Sequence, residues 1–201
     1  MKSIKSIFFY LILAFLFVNC SNKDVINDIA LKSTDITGDA DYQIYSLILN
    51  EKFTSAGEFV VKQKTNKLSL ITSAVNNLKT EIPTIDSSIF TNLAQANDST
   101  RTLANKFVNL KKSITLISSE ELVSYMNPQD PNYFWTEFYK KYPNSAGTIG
   151  FSSIGFNTGK TQAIVQVENS FASLGAEGAL IYLVKTNNSW KIIQVTFAWA
   201  S

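Results

Sequence analysis

From Asp41 to Asn50 apolar residues return every three or four positions: Ile44, Leu47 and Ile48, with Tyr45 and Leu49 widening the stripe. That is the period of an amphipathic helix. Glu58 to Thr65 changes character. It is dominated by β-branched and aromatic residues and is followed by the turn former Asn66, which predicts a strand. Lys62, Lys64 and Lys67 suit a sheet border, where charge discourages pairing with another chain, so an edge position is expected. From Thr84 to Ala96, Ile85, Ile89 and Leu93 fall four apart, a second helix with Asp86 or Ser87 at its start. Asp98 or Ser99 opens a third, carrying Leu103, Phe107 and Leu110. Ile114–Ile117 reads as a short strand. Ser118 with Glu121 three residues on fits a capping box ahead of a helix from Leu122 to Met126, which Pro128 stops.

Asp130 to Tyr142 holds six aromatic residues. Phe134, Phe138 and Tyr142 form an i, i+4, i+8 row with Trp135 and Tyr139 beside it, a stripe broad enough to face a sheet. The remainder reads as strand and turn: Thr148–Phe156, Thr161–Glu168, Gly178–Thr186 and Trp190–Trp199. Within them Ala163, Val165 and Val167 alternate with Gln162, Gln166 and Glu168, and Ile193, Val195, Phe197 and Trp199 fall on one face. The expected fold class is α+β: a C-terminal four-stranded antiparallel meander covered on one face by helices, the aromatic-rich helix among them.

Only the amino terminus departs from this pattern. Lys2 and Lys5 precede Ile7–Val18, a run without a charge, in the layout of a secretory signal. The run is shorter than the roughly 20 residues that cross a bilayer. Directly after it stands Cys20, the one cysteine of the chain. Phe17-Val18-Asn19-Cys20 resembles the lipobox of bacterial lipoproteins, although the lipobox usually has Leu at the place of Phe17 and a smaller residue at the place of Asn19. The resemblance implies removal of residues 1–19 and lipidation of Cys20. Acyl chains contribute about 0.8 kcal/mol per buried methylene, so two or three of them hold a protein stably on a membrane. Residues 20–40 read as a polar linker and 41–201 as a single α+β domain. Ser21 resembles the sorting pattern that keeps such lipoproteins at the outer membrane. Lys23-Asp24 is only a faint likeness to a surface-export signal, so periplasm and cell surface both stay open.

Composition removes several functions. Without Lys2 and Lys5 the eighteen basic residues fall to sixteen, equal to the sixteen acidic ones, and Arg101 is the one arginine. Binding to nucleic acid rests on clustered cations releasing phosphate counterions, so a nucleic-acid partner is not expected. No histidine is present, which excludes Ser-His-Asp triads, Cys-His pairs and His-ligated zinc.

Candidate motifs mostly reduce to structure. Gly155-Phe156-Asn157-Thr158-Gly159-Lys160-Thr161 has three residues between its glycines where a Walker loop has four, and it leads into a strand. It is read as a hairpin turning through Asn157–Lys160. Asp35, Asp39 and Asp41 lack the spacing of an EF-hand and are read as linker and helix-start residues. Neither a metal nor a cofactor is expected. Glu120, Glu121, Asp130, Glu137, Glu168 and Glu177 are the carboxylates from which an acid and a base acting on a glycan would have to come. Stacking on a sugar ring is the alternative for the aromatic helix, with Trp135 and Tyr139 as its candidate pair, but helix periodicity makes core packing the better account.

The run Trp135-x-x-Phe138-Tyr139-x-x-Tyr142-Pro143-x-Ser145-x-Gly147, with Phe151-Ser152-x-x-Gly155-Phe156-Asn157, Thr161-Gln162-Ala163, Gly175-x-x-Gly178 and Trp190-Lys191 to Trp199, resembles a group of uncharacterised bacterial envelope proteins, often lipoproteins. The resemblance covers about the last third of the chain. It implies an envelope location and brings no catalytic residue. The function expected is that of a lipid-anchored, non-enzymatic module binding an envelope protein or glycan, with a carboxylate-dependent hydrolase and a structural subunit of an envelope complex as the alternatives.

Overall fold

The structure is a computed structural model, and it describes residues 38–68, 72–130 and 132–201. The expected signal, Cys20 and most of the linker lie outside the described residues. The described residues belong to one compact unit. Among the described residues, five helices, α1 (Asp39–Lys52), α2 (Thr72–Glu81), α3 (Ser88–Ala96), α4 (Ser119–Ser124) and α5 (Tyr133–Lys141), accompany seven strands: β1 (Glu58–Lys62), β2 (Ile114–Ile117), β3 (Ser145–Phe151), β4 (Gly155–Phe156), β5 (Gln162–Ala172), β6 (Gly175–Thr186) and β7 (Ser189–Ala200). The protein is α+β, with one sheet in the order β2-β1-β3-β5-β6-β7 and β4 paired to β5.

The C-terminal strands β3, β5, β6 and β7 are successively antiparallel. Two strands extend that meander in parallel: β1 lies beside β3, and β2 beside β1. The expected edge position of β1 is therefore corrected. Its Phe59, Val60 and Val61 are buried from both sides, and a strand apolar on both faces belongs inside a sheet.

The run Thr148–Phe156 is two strands rather than one, because Ser152 and Ser153 leave the ladder. Ser152 Oγ accepts from Gln166 N at 2.9 Å, and Tyr45 Oη donates to Ser152 O at 2.9 Å. Asn97 Oδ1 accepts from Ser153 N while Asn97 Nδ2 donates to Leu93 O and Ser153 O.

Helices cover both faces of the sheet, not one. α1 lays Tyr42, Tyr45, Ile48 and Leu49 on Phe59, Val61, Ile149, Phe151, Val165 and Ile181. On the opposite face α2 and α3 cover Ile164, Leu180 and Tyr182, while α4 and α5 cover Val60 and Ile117. The aromatic helix thus packs over the parallel pair β1 and β2 rather than over the meander. Phe138 is its fully buried residue, stacked on Phe134 at 6.2 Å and touching Tyr142 at 5.2 Å.

The helix expected around Leu103, Phe107 and Leu110 does not form. Its backbone amides have other partners. Tyr42 Oη, Ser46 Oγ and Asn50 Oδ1, spaced four apart along α1, accept from Ala104 N, Val108 N and Lys111 N at 2.7, 2.9 and 2.9 Å. Side-chain acceptors on one helix face hold the segment along α1 as an irregular strap, while Leu103 and Phe107 still reach the core.

Candidate functional site

A helix rises about 1.5 Å per residue and a strand about 3.3 Å. The fourteen residues of α1 therefore span roughly 21 Å, whereas the twelve of β6 or β7 span roughly 40 Å. One helix cannot roof the whole face. Where α1 stops at Lys52, a trough of about 320 Å³ opens. Val167, Ala179, Ile181, Val195 and Phe197 form its floor and outer side, and Phe53 closes its upper end. Phe197 is 63% exposed and Val195 37%.

Two bulges in β7 set which side chains meet there. Register shifts between Gly178 and Ala179 and between Tyr182 and Leu183 leave Ala198 and Ile193 without a direct partner. An extra residue moves every following side chain to the other face. Val195 and Phe197 therefore stand with Ile181 and Ala179 on the α1 face. Trp199, opposite Gly178, lies on the other face, where its indole occupies the space a Cβ at Gly178 would take. The expectation that Ile193, Val195, Phe197 and Trp199 share one face is corrected accordingly.

Polar chemistry in the trough is sparse and placed at its end. Lys52 lies at the rim, and Asn169 and Glu177 pair across β5 and β6. Asn169 Oδ1 is buried with no hydrogen-bond partner among the described residues. An acceptor left in that state carries a desolvation cost that a donor on an incoming group would relieve. Apolar walls with few convergent polar groups are the usual make-up of a binding cavity. A second, more polar hollow of about 490 Å³ lies beside α1 between Gln43, Asn50, Asn109 and Trp190.

The carboxylates picked out in the sequence do not converge. Glu168 and Glu177 point to opposite faces, since Glu168 shares the face of Ile164 and Gln166 while Glu177 is opposite Asn169 in the trough. Glu121 is occupied: its Oε1 accepts from Tyr125 Oη at 2.6 Å, Tyr142 Oη at 2.8 Å and Lys141 Nζ at 2.6 Å, which ties α4 to α5. Burial pushes its carboxyl up, but these donors outweigh that and hold it below its ordinary value. Tyr125 is pushed up to about 12, first by burial and then by the carboxylate it donates to. Glu137 pairs with Lys140 at 2.6 Å, and Asp130 Oδ1 accepts from Asn132 N. Glu120 is exposed on α4, its carboxyl lowered by hydrogen bonds at the helix start.

Glu168 stands in a polar seam between the two helical groups on that second face. Asn66 Nδ2 and Gln166 Nε2 both donate to it. Asn66 fits because Gly150, opposite Glu168 on β3, leaves room for its amide. Burial raises the Glu168 carboxyl, and the charge of Lys62 and the bond from Gln166 only partly offset that.

Trp135 and Tyr139 are half-buried on α5, their rings 5.7 Å apart and tilted by 31°. Trp135 packs edge-on against Phe134 and Phe138, and Tyr139 Oη donates to Phe171 O at 2.9 Å. The Gly155–Thr161 segment is a β4–β5 hairpin, with Asn157 Oδ1 accepting from Thr161 N and Gln162 N. Asp39 and Asp41 lie in the first turn of α1, and Asp35 is outside the described residues. Among the described residues no group of three or more Asp, Glu, His or Cys is placed to hold a metal ion, and no helix is long and apolar enough to cross a membrane.

No protein-family model matches the chain, and no curated protein and no solved structure is significantly similar to it. Sequence reasoning passed over the trough residues Lys52, Phe53, Asn169, Val195 and Phe197 as a group. The one signal for them was the length mismatch between α1 and the strands it covers.

Proposed function

We propose that this protein is a lipid-anchored, non-enzymatic binding module of the bacterial cell envelope, probing its surroundings with the trough beyond Lys52. Acyl chains on Cys20 tether it, in this reading at the outer membrane. The observation that carries the binding role is an apolar cavity of about 320 Å³ with an unpartnered acceptor, Asn169 Oδ1, at its polar end. It takes an apolar group carrying a hydrogen-bond donor, presented by an envelope protein or glycan. The glycan hydrolase has less support, because its two acids would have to face one substrate and Glu168 and Glu177 lie on opposite faces of the sheet.

Two measurements test this. Palmitate-analogue labelling and membrane sedimentation, compared between the native chain and Cys20→Ser, are expected to show both lost in the variant; a variant that still sediments removes the tether. Titration with 1-anilinonaphthalene-8-sulfonate is expected to give saturable fluorescence that Ala179→Phe, which fills the trough floor, weakens at least tenfold. Leu174→Lys, on the exposed β5–β6 hairpin, is expected to leave it unchanged. Equal binding by Ala179→Phe would remove the trough from the proposal.

A further inference from the structure

β7 ends the sheet on one side and β2 on the other. The two edges are built differently. β2 has four residues and is preceded by Lys111 and Lys112, the short and charged kind of edge that resists pairing with another chain. β7 has twelve residues, and from Ile192 to Ser201 it carries no charged side chain and no proline. Ile193, Val195 and Phe197 on it are 48%, 37% and 63% exposed. A long, uncharged edge with exposed apolar side chains is a template for strand addition.

We propose that the strand added there is β7 of a second copy of this chain, antiparallel, about a two-fold axis through Val195. This goes beyond the binding role of the trough and does not depend on what enters it. An isologous contact must be self-complementary, and the pattern of β7 satisfies that in one orientation. With Val195 opposite the partner's Val195, the bulge at Ile193 brings Ile192 level with a Phe197 on the α1 face, an aromatic against a β-branched residue, which is a favourable cross-strand pair. Lys191, the one charge on the strand, then falls opposite Trp199.

Both belong to the face away from α1, since Lys191 pairs with Val184 and Trp199 with Gly178. A two-fold axis perpendicular to the sheet keeps faces matched, so each ammonium is carried to an indole, the better of the aromatic rings for a cation. Parallel pairing in register would instead set Lys191 against Lys191. The axis also falls within the regular stretch Gln194–Phe197, between the two bulges. The assembled sheet places the two troughs side by side, because Val195 and Phe197 line both the trough and the contact.

Directly opposed residues of antiparallel strands have Cα atoms about 4.5–5.5 Å apart, within disulfide range. In the full-length chain, mild oxidation of Val195→Cys is expected to give a product of twice the chain mass. Ile192→Cys and Phe197→Cys are each expected to stay monomeric when oxidised alone and to cross-link when the two variants are co-expressed. The native chain and Leu174→Cys serve as controls without a product. Phe197→Lys is expected to shift sedimentation from dimer to monomer with an unchanged circular dichroism spectrum. A Val195→Cys thiol that reacts with maleimide yet forms no dimer overturns the proposal. So does its capture of a different protein, and so does self-linking of Ile192→Cys, which would mean parallel pairing.

Discussion

Glu121 and Glu168 show how the same side chain is driven in opposite directions by what surrounds it. Glu121 gathers three donors on one oxygen and is held below the ordinary value of 4.5. Its ionised form is favoured by folding. The stability it adds is present above the unfolded value and is lost as pH falls through the lower folded one. Glu168 is raised by burial, so its contribution is present below the unfolded value and is lost as pH rises through the higher folded one. Carboxyl-carbon NMR titration is expected to place Glu121 below 4.5 and Glu168 above it, and Glu121→Gln is expected to flatten the stability loss between about pH 5 and 3. The reverse order of the two titrations would contradict the geometry. At this scale the sequence was partly legible. Ser118 was readable as an N-cap and does accept from Glu121 N at 3.1 Å. The side chain of Glu121 was not readable, because its partners Tyr142 and Lys141 come from a helix twenty residues on.

Elements that contact the sheet through a regular stripe were legible, and those held by side-chain-to-backbone bonds were not. Periodicity located α1, α3 and α5 and the C-terminal strand region, although it joined β3 and β4 into one strand. It misread the 101–113 strap, because Leu103, Phe107 and Leu110 have helical spacing although their backbone is bound to Tyr42, Ser46 and Asn50 instead. It also left α2 unassigned, where Ala74 and Leu78 are buried four apart but polar residues dominate the rest. Close approach between elements gives a test of this level. A Cβ on Gly155 would stand 2.4 Å from Ile89 O and 2.6 Å from Leu93 N, backbone atoms of α3 that cannot rotate away. Gly155→Ala is expected to cost about 1–3 kcal/mol in denaturant unfolding, as overpacking does. Gly159→Ala, whose nearest neighbour would be Thr161 Oγ1 at 3.7 Å, is expected to stay within about 0.5 kcal/mol. Equal effects would mean that α3 does not bear on β4.

Over the whole molecule one sheet is the common floor of three apolar clusters, with Val60 and Val61, or Ile164 and Val165, pointing from adjacent positions into different clusters. No cluster can lose the sheet without the others losing it too. Urea unfolding followed by tryptophan fluorescence and by far-ultraviolet circular dichroism is therefore expected to give coincident transitions, and two separated midpoints would show that the helical groups melt independently. By itself the sequence determined the class of fold, the order of its main elements and the absence of imidazole chemistry, because periodicity and composition are properties of the chain before it folds. It could not determine which face each helix covers, because the stripe of α5 is equally suited to the meander and to the parallel pair. Only the tertiary structure decided that β1 is interior, that two bulges turn Val195 and Phe197 toward α1, and that α1 ends short of the strands beneath it. Each of these depends on register and relative length across distant segments, and the trough exists because a helix gains less than half the distance per residue that a strand does.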